Sequence, residues 1–291
     1  MKSEPELLEA AARLAQELAR QHCRHGHDEH GEACSWNHAF WPSLRVLGLA
    51  STPDNQAELY RRAVQPLRQR SCRPRILISG AADYAMLALL AQFCHASGMR
   101  AHFVVVDLCE TPLALNRWYA KERSLDVLTW RGSILDCRLA PDEEPFDLVC
   151  SHSFLGQFAP ARRPALVMKW RELLRPGGRL VTATRLRPLA GPGQVRFNLE
   201  QARSFCDKVT ALATASGLDE AELAEGAEHY VRELCVWPVH ALDDLRGLME
   251  EQDLVVEYLA SAAVDEGNGR DLAGPTAPGR DPYAQVIALR R

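Results

Sequence analysis

From Arg75 onward the chain alternates short, unbroken apolar runs with amphipathic stretches, and this alternation limits the fold more than any other feature. RILIS, AHFVVVDL, DVLTWRGS, FDLVCSHS and RLVTATRL read as strands, and DYAMLALLAQFCHASG, TPLALNRWYAKERS and RRPALVMKWRELLRPGG read as helices. Strands without polar alternation, spaced by helices, belong to a parallel sheet covered on both faces. LVVEYLAS and PYAQVIALRR add two more strands, joined by a Gly/Pro/Asp-rich stretch from Asp265 to Pro282, and are expected to pair as an antiparallel edge. The expected fold class is therefore α/β: a doubly wound, mainly parallel, seven-stranded sheet.

Two helical additions flank this pattern. Residues 1–70 are read as an N-terminal helical cap, with a capping box at Ser3 and Glu6 and an apolar stripe of Leu7, Ala11, Leu14 and Leu18 that needs a surface to cover it. Residues 71–291 form the α/β domain, interrupted after strand five by a helical insertion at 191–240. Thr52 is a helix cap with Pro53 at the first helical position. Both additions are expected to reach the strand-end side of the sheet and to form an acceptor pocket and lid.

The charge balance, 34 Lys and Arg against 38 Asp and Glu, argues against general affinity for phosphate backbones. Six arginines between Arg61 and Arg75 read as a solvated helix face and linker, with an RNA-binding patch as the competing reading. Nine cysteines without a C-x-x-C spacing read as reduced, buried thiols of a cytoplasmic protein, and no apolar run is long enough to span a membrane. HCRHGHDEHGEAC, residues 22–34, has the residue types of a metal site, but its only cleanly spaced pair is His25 with His30. It is read as a solvated connector, and no metal is expected.

In doubly wound sheets ligands sit beyond the carboxyl ends of the strands. Gly80 after strand one permits a tight turn, and Ala81 and Ala82 are small enough to admit a ligand. Asp107 ends strand two, where a carboxylate accepts hydrogen bonds from ribose hydroxyls. Ser133 and Ile134 follow strand three, and Ser151 and His152 close strand four. Taken in order, ILISGAADYAM, VVVDL, WRGSILD, FDLVCSHSFL and ELLRPGGRLV resemble the class I S-adenosylmethionine-dependent methyltransferases, with their Rossmann-like fold and reversed final strand.

The resemblance implies S-adenosylmethionine as cofactor. Gly80, Ala81 and Ala82 would pass its methionine part, Asp107 would hold the ribose, Leu108 would lie beside the adenine, and Ser133 with Ile134 would bound the base; Ser151 stands at the same edge. The chain departs from the family pattern with Ile78 in place of an acid near the end of strand one, and with Ala82 and Tyr84 in place of glycines. Asp83 is the nearest carboxylate for the cofactor's ammonium. Methyl transfer from a sulfonium needs in-line alignment, with a base only for a protonated acceptor. His152 and His38 are the two candidates for that base.

Trp36, Phe40 and Trp41 either wall the substrate or staple the cap to the sheet, and Arg45, Tyr230 and Arg232 are the polar pocket candidates. The expected activity is methyl transfer to O or N of a small molecule. A catalytically silent binding or regulatory protein and an RNA methyltransferase are the alternatives. Partners are a small-molecule substrate and, compatibly, a second copy in a homodimer.

Overall fold

The computed structural model describes residues 2–23, 33–262 and 282–291. Ser3 opens α1 (Glu4–His22) with the expected reciprocal cap, its backbone N–H donating to the Glu6 carboxylate at 2.7 Å. Two short helices, α2 (Ser35–His38) and α3 (Trp41–Val46), follow. Thr52 then heads a 3-10 turn at Pro53–Gln56 that runs into α4 (Ala57–Val64).

The alternating segment folds as β1 (Arg75–Ser79), α5 (Ala85–Ala96), β2 (His102–Asp107), α6 (Glu110–Arg123), β3 (Asp126–Arg131), β4 (Phe146–His152), α7 (Arg163–Leu173) and β5 (Leu174–Arg185). β6 (Val195–Arg196), α8 (Leu199–Ser216), α9 (Glu220–Glu233) and β7 (Cys235–Val236) make the insertion, closed by an antiparallel β6–β7 ladder. α10 (Leu242–Glu250), β8 (Leu254–Ala262) and β9 (Tyr283–Arg290) complete the order.

The seven strands run β3-β2-β1-β4-β5-β9-β8. β1 to β5 pair in parallel, and β9 is antiparallel to both β5 and β8. The order turns between β1 and β4, so the crevice at the carboxyl ends of these strands is where such sheets take ligands. RPGG, included above in the helical stretch before the fifth strand, is instead drawn into the start of β5. Gly177 sits there at φ +75° and the register slips between Phe146 and Leu148, because the backbone bulges before it settles against β4.

The cap is part of the sheet's own helical layer. Leu7, Ala11 and Ala15 of α1 and Leu59, Tyr60 and Ala63 of α4 bury in one cluster with Ile76, Ile78, Phe103 and Val105. The opposite face packs Leu77, Val104, Phe146, Val149 and Leu180 around the fully buried Trp170. A third cluster joins Phe40 and Leu44 to Phe205, Val209 and Tyr230, so cap and insertion share a core. Of the six arginines from 61 to 75, five have partners among the described residues: Arg61 and Arg62 on Glu58, Arg70 on the Gly177 carbonyl, Arg73 on Asp126 and Arg75 on Glu143.

Candidate active site

The loops after β1 and β2 are tied together through Asp107. Its Oδ2 accepts the Ala81 N–H at 2.9 Å and its Oδ1 accepts the Cys109 N–H at 2.8 Å. An ionised carboxylate has about four lone-pair sites, so each oxygen keeps one for a further donor. Burial raises the Asp107 pKa, against the opposing pull of His38 and of the two backbone N–H groups. Gly80 lies at φ +76°, and a Cβ there would collide with the Phe154 ring, so only glycine lets the chain turn at this point. Leu108 projects into solvent, 62% exposed. Ser133 caps a short turn by accepting the Leu135 N–H, while Ile134 is buried against Leu77, Val104 and Val106. The sequence-derived edge of Gly80, Ala81, Ala82, Asp107, Leu108 and Ser133 is thus assembled at the ends of β1 to β3.

Two residues assigned to this edge have other duties. Asp83 is not a free carboxylate: Oδ2 accepts from Arg45 Nη1 at 2.6 Å and Oδ1 accepts the Ala85 N–H at 2.8 Å, opening α5. The pair is enclosed, with side-chain exposures of 12% for Arg45 and 3% for Asp83, and the guanidinium also covers the Tyr84 ring. Arg45, expected in an acceptor pocket, therefore anchors the cap to the loop after β1. Ser151 is fully buried, its hydroxyl 2.8 Å from Thr182 Oγ1 inside the sheet. A strand-end position does not determine which way a side chain points, and this one points inward.

The ends of β4, β5 and β9 hold a second polar group. His152 Nδ1 lies 3.0 Å from Tyr60 Oη, whose proton is donated to the Ser151 carbonyl at 2.8 Å, while Nε2 is buried without a hydrogen-bond partner among the described residues. The ring stacks on Tyr283 at 5.5 Å. Burial, and then the Arg185 charge, lower the His152 pKa to about 3, so the imidazole is neutral at physiological pH.

Arg185 lies over the same Tyr283 ring, with Nη1 buried and without a hydrogen-bond partner among the described residues. Tyr283 Oη accepts from Ser51 at 2.6 Å and meets Ser153 Oγ at 3.1 Å. Burial works against its phenolate, yet Arg185 and the two hydroxyls outweigh that and lower its pKa. Tyr60, Arg185 and Tyr283 were not legible as site residues: Arg185 and Tyr283 meet only through the antiparallel β5–β9 register.

His38, the other candidate base, belongs to a different neighbourhood. It is buried with Nδ1 3.6 Å from Cys23 Sγ, and Cys23 Sγ is 3.6 Å from Cys109 Sγ at the end of β2. Burial disfavours its charged form, but the Cys109 sulfur and Asp107 outweigh this and raise its pKa. Trp36, Phe40 and Tyr230 pack ring to ring, at 5.6 Å and 5.8 Å, with Phe197 and Phe205 beyond. Trp41 packs against the same cluster. These aromatics join the cap to the insertion, and Phe40 and Tyr230 are buried there. Arg232 lines an open hollow of about 720 Å³ with Phe197, Leu199 and Val231. His25 and His30 lie outside the described residues.

A family model described as a methyltransferase domain matches residues 84–178. No curated protein sequence matches the chain. Among solved structures, geranyl diphosphate C-methyltransferase from Streptomyces coelicolor A3(2) superposes with a TM-score of 0.52 at 14% identity, covering 82% of this chain and 79% of that one. A geranyl diphosphate methyltransferase in complex with S-adenosylmethionine gives 0.50 at 13% identity, with coverages of 81% and 84%. The methyltransferase SibL gives 0.49 at 18% identity; 87% of this chain is covered, but only 57% of SibL's length. No described helix is long and apolar enough to cross a membrane. Residues 84–178 thus match a methyltransferase domain, and the seven-stranded sheet has the Rossmann-like fold of the solved methyltransferases.

Proposed function

We propose that this protein methylates an oxygen or nitrogen of a small polar molecule held where β4 and β5 end and β9 begins. One observation carries the reading: two buried side-chain nitrogens there, His152 Nε2 and Arg185 Nη1, have no hydrogen-bond partner of ordinary geometry among the described residues. Buried polar atoms are nearly always satisfied, and a polar acceptor would satisfy both. A small acceptor is in keeping with the two geranyl diphosphate methyltransferases that share the fold.

The residues of the β1–β3 edge fit the cofactor. Asp107 keeps a lone pair on each oxygen for the ribose hydroxyls, Leu108 offers an exposed apolar face to the adenine, and Ser133 bounds it. Asp83 is excluded as a partner of the ammonium because Arg45 holds it. When bound, S-adenosylmethionine supplies an electrophilic methyl group on a sulfonium.

The protein's part is to hold the acceptor in line and exclude water. His152, neutral at pH 7, presents Nε2 to the acceptor's hydrogen. A hydroxyl becomes strongly acidic as its oxygen is alkylated, so a weak neutral base suffices to take its proton. Arg185 faces any anionic or carbonyl oxygen beside it.

Calorimetry with S-adenosylhomocysteine, together with turnover against a panel of phenols, carboxylates and amines, tests the reading. Asp107→Ala removes charge-assisted hydrogen bonds and should weaken cofactor binding by about tenfold or more. His152→Ala and Arg185→Gln should leave cofactor affinity unchanged and reduce methyl transfer. Unaltered binding by Asp107→Ala, or full turnover by His152→Ala, refutes the assignment.

A further inference from the structure

We infer that Cys23, Cys34, His38 and Cys109 form a structural zinc site that clasps the N-terminal helices to the loop after β2. Cys23 follows the last turn of α1, Cys34 precedes α2, His38 ends α2 and Cys109 precedes α6. Their ligand atoms all lie within 4.8 Å of one another.

The spacing is that of a tetrahedron around an ion. With Zn–S near 2.3 Å and Zn–N near 2.0 Å, tetrahedral geometry puts sulfurs about 3.8 Å apart and sulfur about 3.5 Å from nitrogen. The structure has Cys23 Sγ–Cys109 Sγ at 3.6 Å, Cys34 Sγ–Cys109 Sγ at 3.9 Å and Cys23 Sγ–His38 Nδ1 at 3.6 Å. All of these cysteines are unbridged.

The chemistry of the donors selects the metal. Three thiolates and one imidazole, with no carboxylate, make a soft tetrahedral set suited to zinc. Four protein ligands leave no open position, so the site is structural and takes no part in the methyl transfer. Thr111 Oγ1, 3.1 Å from Cys23 Sγ, adds the kind of outer hydrogen bond that orients a metal thiolate. Without an ion, packing three thiols and an imidazole together gains little, since a thiol is a weak donor and a weak acceptor.

The clasp also bears on the cofactor. The Cys109 N–H is one of the two backbone groups that orient Asp107, so a metal at Cys109 Sγ steadies the proposed ribose carboxylate from behind. This consequence rests on the cofactor reading given above; the metal site does not.

Full-length protein purified under reducing conditions without a polyhistidine tag should carry about one zinc per chain by elemental analysis. After chelation, Co2+ alone should restore the site, giving the intense visible d–d bands and sulfur-to-cobalt charge transfer of a tetrahedral thiolate centre. Cys109→Ser should lose the metal; His38→Cys should keep it; Cys150→Ser, a buried cysteine elsewhere in the sheet, should be neutral for metal content. These readouts need neither cofactor nor turnover. If the zinc-loaded wild type binds S-adenosylhomocysteine no better than the chelated protein, the coupling fails while the site stands.

A metal-free chain that lacks two hydrogens by mass, with Cys23 joined to Cys109 as a disulfide, overturns the proposal. Metal that survives in folded Cys109→Ser but disappears when His25 and His30 are replaced also overturns it. A six-coordinate cobalt spectrum does the same.

Discussion

The Arg45–Asp83 pair gives the sharpest test of how the N-terminal helices are attached. Replacing Arg45 with Met keeps most of the side-chain volume and removes the charge, leaving Asp83 at 3% side-chain exposure with the Ala85 N–H as its remaining hydrogen-bond donor. Breaking a buried ion pair on one side costs about 3–5 kcal/mol. The 2.6 Å contact and the enclosure of both partners place this pair in that class, with the 12% exposure of Arg45 favouring the lower end.

Urea unfolding of Arg45→Met should therefore show a loss of about 3 kcal/mol, with a fall in midpoint temperature of about 5 °C. The double variant Arg45→Met/Asp83→Asn removes the stranded charge and should recover most of that loss. A double-mutant cycle isolates the coupling. A single-variant cost below about 1 kcal/mol, the range of solvent-exposed pairs, refutes the reasoning. So does a double variant no more stable than Arg45→Met.

Three further outcomes are expected. His152 is held near pKa 3 in the fold against about 6.5 when unfolded, so the unfolded chain takes up its proton first as the solution is acidified. That contribution is intact above pH 6.5 and is lost as pH falls toward 3, by about 3–5 kcal/mol; stability curves of His152→Gln should be flatter over this window, and parallel curves would contradict the assignment. Tyr230→Ala empties the centre of the cap–insertion aromatic cluster and should cost about 3–5 kcal/mol by denaturant titration, with a cost under about 1 kcal/mol showing that the cluster does not join the two additions. Gly80→Ala meets both a left-handed backbone and the Phe154 ring, and should weaken S-adenosylhomocysteine binding in calorimetry; wild-type affinity would show that the loop tolerates a shift.

The sheet was legible because β1, β2 and β4 are buried on both faces and so are written as continuous apolar runs, for which the chain has few other uses. The place of Asp107 was legible for a related reason: an acid that directly ends such a run lies at the carboxyl-end edge of the sheet. The residues gathered around it were not. Cys23 and Cys109 touch across 86 positions, and Ser153 and Tyr283 across 130, so no local spacing announces either group. The His-rich segment drew attention to His25 and His30, while the cluster formed from Cys23 and Cys34 at its margins and from His38 and Cys109 beyond it. Side-chain direction was equally hidden: Asp83 lies in the loop after β1 and Ser151 near the end of β4, but one is claimed by Arg45 and the other by Thr182.

The place of β9 in the sheet has a consequence for how the molecule is made. β8 precedes β9 in the chain, yet β9 lies between β8 and β5, so β8 has no strand to pair with until residues 283–290 have emerged from the ribosome. Until then the β5 edge is also open, with Arg185 waiting for Tyr283. Unpaired edges recruit other chains. A nascent chain stalled between the two strands is therefore prone to aggregate, and the phenol that Ser51 and Ser153 share arrives only with the strand that closes the sheet.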